Sequence, residues 1–262
     1  MRNRILIIDA FADRPMTGNP AAVCPLDKWI DDEMMQAIAA EMNLSETVFF
    51  VPQGSDYAIR WFTPTREVDL IGHATLAAGA LILDELEPDA SAIRFLSKGQ
   101  HLDVSRGSDG GYVIDMPSLT PRPLKNPPAG LAEGLGRCPS EILAAKHYLC
   151  VFDDPQDIVL LSPDLPKLGG LELPGVIVTA PGKGSYDFVS RFFAPANGVP
   201  EDPVSGVAHC CLAPYWAHRL GRSRLSGRQL SRRGGVVRCL VDGDRVHLEG
   251  KVAFFLDGWI SS

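Results

Sequence analysis

Residues 48–74 read VFFVPQGSDYAIRWFTPTREVDLIGHA, and residues 176–208 read VIVTAPGKGSYDFVSRFFAPANGVPEDPVSGVA. The second stretch restates the first. Arg60-Trp61-Phe62-Thr63-Pro64 returns as Arg191-Phe192-Phe193-Ala194-Pro195, displaced by half of the 262 residues. After a three-residue insertion, Glu67-Val68-Asp69-Leu70-Ile71-Gly72 returns as Glu201-Asp202-Pro203-Val204-Ser205-Gly206. Each copy runs from a strand-like stretch through a Pro turn and an acidic patch to a Gly that opens an apolar helical run. A repeat of this kind predicts two pseudo-equivalent lobes. Their acidic patches and helix N-termini are expected around one cleft.

Outward from the first copy, Ile5 to Ala10 is short and apolar, as a central strand would be. A turn rich in Pro and Gly follows at residues 14–20. Asp31-Asp32 caps a helix whose Met34, Met35, Ile38, Ala39 and Met42 fall at helical spacing, ending near Asn43. Strands are expected at Val48–Val51 and Tyr57–Phe62. Gly72–Leu86 is apolar nearly all round, which predicts a buried helix. Residues 92–116 alternate like a hairpin around residues 107–111. Residues 117–128 hold five prolines in twelve positions and read as a linker. The lobes are therefore drawn as 1–118 and 119–262, with the terminal strands free to cross between them.

In the second lobe, strands are expected near 147–152, 157–161, 174–180 and 186–193. A helix starts at Gly206, and Pro214 should kink or split it. Late strands near 235–241, 244–249 and 251–256 close the chain. Two lobes, each a mostly antiparallel sheet wrapped around one buried helix, make an α+β fold.

Hydrophobic content of 45% and a mean hydropathy of +0.03 suit a folded chain with a sizeable core. A net charge of −7 and a pI near 5.4 speak against nucleic acid or an anionic membrane as partner. Arg228, Arg232 and Arg233 are a local exception, read as a solvated turn or the edge of a ligand site. The start, MRNRILIIDAFADRP, lacks the longer apolar stretch and cleavage site of a signal peptide. No run approaches the ~18 to 20 apolar residues of a membrane span, so a cytoplasmic location is expected. The six cysteines include no C-x-x-C pair, which favours buried free thiols over a metal site or a disulfide framework.

Gly72-His73-Ala74 and Gly206-Val207-Ala208 each open a helix. First-turn N–H groups have no intrahelical partner and carry roughly +0.5 charge. Two such termini would bind a small carboxylate without Lys or Arg. His73 lies at the first terminus, where the dipole should keep it neutral and suited to hydrogen bonding or proton relay. Asp202 occupies the corresponding turn of the second lobe. Glu46, in Asn43-Leu44-Ser45-Glu46-Thr47, sits on a helix-to-strand junction; alone it reads as well as a cap as a catalyst.

Four blocks taken together are more specific. These are Asp9-Ala10-Phe11 with Thr17-Gly18-Asn19-Pro20; Met42 to Thr47; Phe62-Thr63-Pro64 with Gly72-His73-Ala74; and Phe193-Ala194-Pro195 with Glu201-Asp202-Pro203 and Ser205-Gly206. In this order they resemble the PhzF family of phenazine-biosynthesis-like isomerases across essentially the whole chain. The resemblance implies a diaminopimelate-epimerase-like fold, usually as a homodimer, and a cofactor-free proton shift on a cyclic dihydro-hydroxyanthranilate. It makes Glu46 the acid/base, assisted by His73 and Asp202. It gives Asn19, Ser45, Gly72, Ser205, Gly206 and Val207 to substrate binding, with the glycine backbones holding a carboxylate. A partly buried Glu has a raised pKa, which suits taking and returning a proton.

Two departures qualify the resemblance. Val207 stands where the phenazine isomerase carries a Ser, so a substrate-bonding hydroxyl is lost while the N–H remains. Ile71 and Ser205 stand where the fold's epimerases place paired cysteine bases, which disfavours two-thiol racemisation. Cys210 and Cys211 lie a helical turn too far along. The expected function is thus a cofactor-independent isomerase of a small carboxylate. The alternatives are a non-catalytic small-acid binding protein and an epimerase with an unrecognised base pair.

Overall fold

The computed structural model describes residues 2–261, which form two compact units. The first runs to Met116 and takes in the chain from Glu249 onward; the second is Pro117–Leu248.

The first unit contains β1 (Arg2–Ala10), β2 (Asn19–Pro25), α1 (Asp32–Met42), β3 (Glu46–Gln53), β4 (Asp56–Phe62), β5 (Glu67–Val68), α2 (Gly72–Leu81), β6 (Ala92–Ser97), β7 (Gln100–Arg106) and β8 (Tyr112–Pro117). β1 pairs antiparallel with β2, β2 parallel with β3, β3 antiparallel with β4, β4 parallel with β6, and β6 to β8 form an antiparallel meander. Every residue of α2 is buried, in contact with β1, β2, β3 and β7, as its all-round apolar sequence requires. A π-helical turn, Ile82–Leu86, continues it to the expected end. α1 packs Met35, Ile38 and Ala39 against Ala22, Cys24 and Phe49.

The second unit contains β9 (Arg122–Pro123), α3 (Ala129–Leu135), β10 (Glu141–Ala144), β11 (Tyr148–Val151), α4 (Pro155–Val159), α5 (Leu165–Gly169), β12 (Val176–Pro181), β13 (Phe188–Phe193), α6 (Gly206–Leu220), β14 (Arg224–Gln229), β15 (Gly235–Asp242) and β16 (Arg245–Gly250). Its pairings repeat the first unit's: β10 antiparallel to β11, β11 parallel to β12, β12 antiparallel to β13, β13 parallel to β14, β14 antiparallel to β15. The duplication visible in the sequence is therefore a duplication of strand order. The last strand, β17 (Val252–Ser261), pairs antiparallel with β1 in the first unit.

Four expectations need correction. Residues 157–161 are not a strand: Asp154 caps α4 through Gln156 N–H at 3.0 Å, and Pro155 opens the helix. Ile158 and Leu161 are buried while Val159 and Leu160 are exposed, a helical spacing hidden inside an apolar run. Residues 92–116 form three strands because Lys98 and Gly99, both at positive φ, add a second turn. Of the kink or split expected at Pro214, the split does not occur: α6 runs unbroken from Gly206 to Leu220. The proline takes an N–H away from the Cys210 carbonyl, and the backbone N–H of Leu119 replaces it at 3.0 Å. The proline-rich segment at 117–128 is thus packed into the second unit, not a loose linker. No helix is long and apolar enough to cross a membrane among the described residues.

Candidate active site

Glu46 is the first residue of β3, His73 the second of α2 and Asn19 the first of β2. Ala21 stands opposite Glu46 in the parallel β2–β3 pair, so Asn19, Ser45 and Glu46 collect at one end of the sheet, beside the start of α2. The turn delivering Asn19 is tight. The Asp9 carboxylate, 1% exposed, accepts the Met16 N–H at 2.6 Å. Gly18 takes φ +64°, where a Cβ would meet the Ala10 carbonyl oxygen at 2.2 Å.

The side chains form a connected row. Ser45 Oγ donates to Asn19 Oδ1 at 3.4 Å, and Asn19 Nδ2 lies 3.3 Å from His73 Nδ1. His73 Nε2 stands 3.2 Å from Glu46 Oε2 without the alignment of a hydrogen bond. Burial pushes the His73 pKa down to about 3, partly offset by a hydrogen bond to the Pro20 carbonyl. The imidazole is neutral at pH 7, with desolvation as the cause. Ile71 supplies no side-chain cap to α2, so the first-turn amides at Gly72 and His73 remain open.

The second unit holds the other group. Ser205 caps α6, its Oγ accepting from Ala208 N–H at 3.2 Å. The amides of Gly206 and Val207, ahead of that bond, have no intrahelical partner. Asp202 is half-buried, its backbone N–H bonded to the Phe192 carbonyl at 2.9 Å. His209, one turn along, bonds the Ser205 carbonyl through Nδ1 at 2.7 Å, as Thr75 bonds Ile71 in the first unit at 2.6 Å.

The other acidic residues of the repeat are structural. Arg60 holds both carboxylate oxygens of Glu67 at 3.0 and 2.9 Å, and Arg191 holds both of Glu201 at 2.7 and 3.0 Å. Such bidentate pairs fix geometry, and the Arg60 hydrogen bonds hold Glu67 below the usual carboxylate range. Each arginine also lies over the phenylalanine two residues on, Phe62 at 5.2 Å and Phe193 at 4.9 Å. Asp69 of the first patch accepts from Lys98 Nζ at 2.7 Å, and neither it nor Asp202 belongs to an arginine fork.

The sequence-predicted residues therefore gather as two groups: Asn19, Ser45, Gly72, Glu46 and His73 in the first unit, and Asp202, Ser205, Gly206 and Val207 in the second. Five of the six cysteines are buried and Cys138 is exposed. Burial pushes the Cys210 and Cys211 thiols up to about 12, so neither is a thiolate at neutral pH. Among the described residues no three His, Cys, Asp or Glu side chains stand together as a metal site needs. Arg228 and Arg232 are exposed, Arg228 lying over the Tyr186 ring at 5.5 Å. Sequence reasoning missed Gln229, the buried end of β14; its one signal is the alternation of Leu225, Gly227 and Gln229 in RLSGRQ.

A profile of the phenazine biosynthesis-like (PhzC-PhzF) family matches residues 8–258. An uncharacterized isomerase of Pseudomonas aeruginosa is 49% identical over 258 residues, covering 98% of each chain. The crystal structure of a PhzF-family phenazine biosynthesis protein from Enterococcus faecalis superposes with a TM-score of 0.95 at 40% identity, over 100% of both chains. That of a putative phenazine biosynthesis PhzC/PhzF protein from Clostridium difficile gives 0.92 at 37%, covering 99% of this chain and 100% of the other.

Proposed function

The chain belongs to the phenazine biosynthesis-like family of isomerases, and on that premise we propose that it shifts a proton on a small carboxylate by acid/base catalysis at Glu46, without a cofactor. The buried Glu46–His73 contact carries this reading. In it, the Glu46 carboxylate removes a proton from a carbon next to an unsaturated system and returns it to another carbon of the same molecule. No electrons are gained or lost, and Glu46 ends as it began. His73, neutral and 3.2 Å from Glu46, lies where it can hydrogen-bond the substrate without competing for the proton. Asn19 and Ser45 hold the ring in place.

Asp202 assists in the same reading. The open amides at the start of α2, and those at the start of α6, each suit a carboxylate by the charge that helix N-termini carry. Val207 presents no hydroxyl, which favours a substrate with an apolar edge over the phenazine precursor itself. Assembly as a homodimer is part of the reading, supported by the exposed Phe254, Phe255, Leu256 and Trp259 on β17.

Deuterium uptake from D₂O into dihydro-hydroxyanthranilate and related cyclic acids tests the proposal. Glu46→Gln keeps the shape and loses the base. General acid/base groups contribute ~10²- to 10⁴-fold, so uptake should fall at least a hundredfold while ligand affinity changes only a few fold. A variant retaining more than half of wild-type uptake would remove Glu46 from the reaction. Binding without uptake by the wild type would make the chain a binding protein.

A further inference from the structure

Gln229 is wholly buried, and both ends of its amide are in use. Its Oε1 accepts from the Ser205 N–H at 3.0 Å, and its Nε2 donates to the Asp202 carbonyl at 2.6 Å. These two residues bracket Pro203-Val204, the stretch leading into α6. Proline has no N–H to tie this stretch to a neighbouring strand. Two residues on, Ser231 Oγ donates to the Pro203 carbonyl at 2.7 Å and accepts from Gly234 N–H at 3.0 Å. Besides the Asp202 N–H bond to the Phe192 carbonyl of β13, the backbone entering α6 is held by side chains from the end of β14 and the turn after it. A primary amide offers an acceptor at one end and a donor at the other across this gap.

We propose that Gln229 is a positioning residue: by fixing the Asp202 carbonyl and the Ser205 N–H, it sets the aim of the Asp202 carboxyl and of the open Gly206 and Val207 amides. This rests on the roles given to Asp202 and Gly206 above. A residue needed only to fill the core would be apolar, since an unmatched amide is costly there. Both hydrogen bonds of Gln229 end on this one loop. The backbone ladder between β14 and β15, which includes Gln229 opposite Gly235, does not depend on the side chain.

Gln229→Leu removes both bonds and Gln229→Glu keeps the acceptor while losing the donor. KM for the cyclic acid that the wild type deuterates, chosen from dihydro-hydroxyanthranilate and analogues with an apolar edge, should rise about tenfold or more, the worth of one to two buried hydrogen bonds. The rate at saturation should stay within about threefold. In the same samples, benzoate should slow hydrogen exchange at the 206–207 amides of the wild type and not of Gln229→Leu. If Gln229→Leu does not fold, Gln229→Glu carries both measurements. An unchanged KM in a folded variant, or equal benzoate protection in variant and wild type, overturns the inference. Wild-type protein that protects those amides with benzoate but takes up no deuterium refutes the isomerase reading and leaves the clamp standing. Turnover with an unmoved KM does the reverse.

Discussion

His209 should make the protein acid-labile well above the pH at which its carboxylates protonate. Its ring is fully buried, Nδ1 is bonded to the Ser205 carbonyl and Nε2 has no partner. Desolvation pushes its pKa from 6.5 down to about 4, against a smaller opposing effect of the Ser205 bond. The folded value lies below the unfolded one, so between them the unfolded chain binds a proton that the folded chain does not. Stability is complete above pH 6.5, falls as pH drops through 6.5, and levels off below about 4. At pH 5 this amounts to about 2 kcal/mol, a figure set almost wholly by the unfolded value. His209→Thr removes the titrating group and copies the arrangement at Thr75, whose hydroxyl makes the same bond one turn back. Thr is smaller and lowers stability at every pH through the cavity it leaves. The change between pH 7.5 and pH 5, measured from urea unfolding followed by circular dichroism, is therefore the quantity to compare. It should be about 2 kcal/mol smaller in the variant. Equal changes, within about 0.5 kcal/mol, would mean that burial of this ring does not hold it neutral and would refute the argument.

Two further outcomes follow from the buried groups. Thr179 Oγ1 accepts from the Trp216 indole N–H at 2.9 Å and donates to the Val189 carbonyl at 2.8 Å. Thr179→Val should cost ~1 to 3 kcal/mol in urea unfolding by orphaning that N–H, and adding Trp216→Phe should recover part of the loss in that hydrogen bond; a neutral single variant would contradict this. Thiol titration of native protein at pH 7.5 should find Cys138 alone reacting fast and deuterium uptake unaffected, since Cys150, Cys210 and Cys211 are pushed up to about 12 by burial. Rapid inactivation protected by ligand would return a thiol to the chemistry.

The two-lobe architecture was legible because a duplicated chain repeats its punctuation. Arg, an aromatic, Pro, an acidic patch and Gly recur in order, and the fork between Arg60 and Glu67 recurs between Arg191 and Glu201. The role of those glutamates was not legible, since spacing cannot tell a carboxylate that faces a ligand from one gripped by an arginine. Asn19, Ser45, Glu46 and His73 were recoverable from motifs, but their order of contact depends on the parallel β2–β3 register, which no local pattern encodes. β2 and β14 escaped notice because NPAAVCP and RLSGRQ carry prolines, glycine and charge, with Val23 their single β-branched residue. α4 was misread because four successive apolar residues hide a helical period, even though Asp154-Pro155 announces a helix start. Pro214 misled for a different reason. Its cost to α6 is met by Leu119, almost a hundred residues away in sequence, and local rules do not reach that far.

The pairing of β17 with β1 has a consequence for how the chain is made. During synthesis, residues 117–248 emerge as a complete set of strands and helices while the first unit is still short of its edge strand. Until translation reaches the last ten or so residues, β1 presents bare N–H and C=O groups along one side, the kind of edge that invites pairing with another chain. The unit synthesised first is therefore the one completed last. For that interval the unpaired side of β1 is a place where the nascent chain is open to mispairing with another strand.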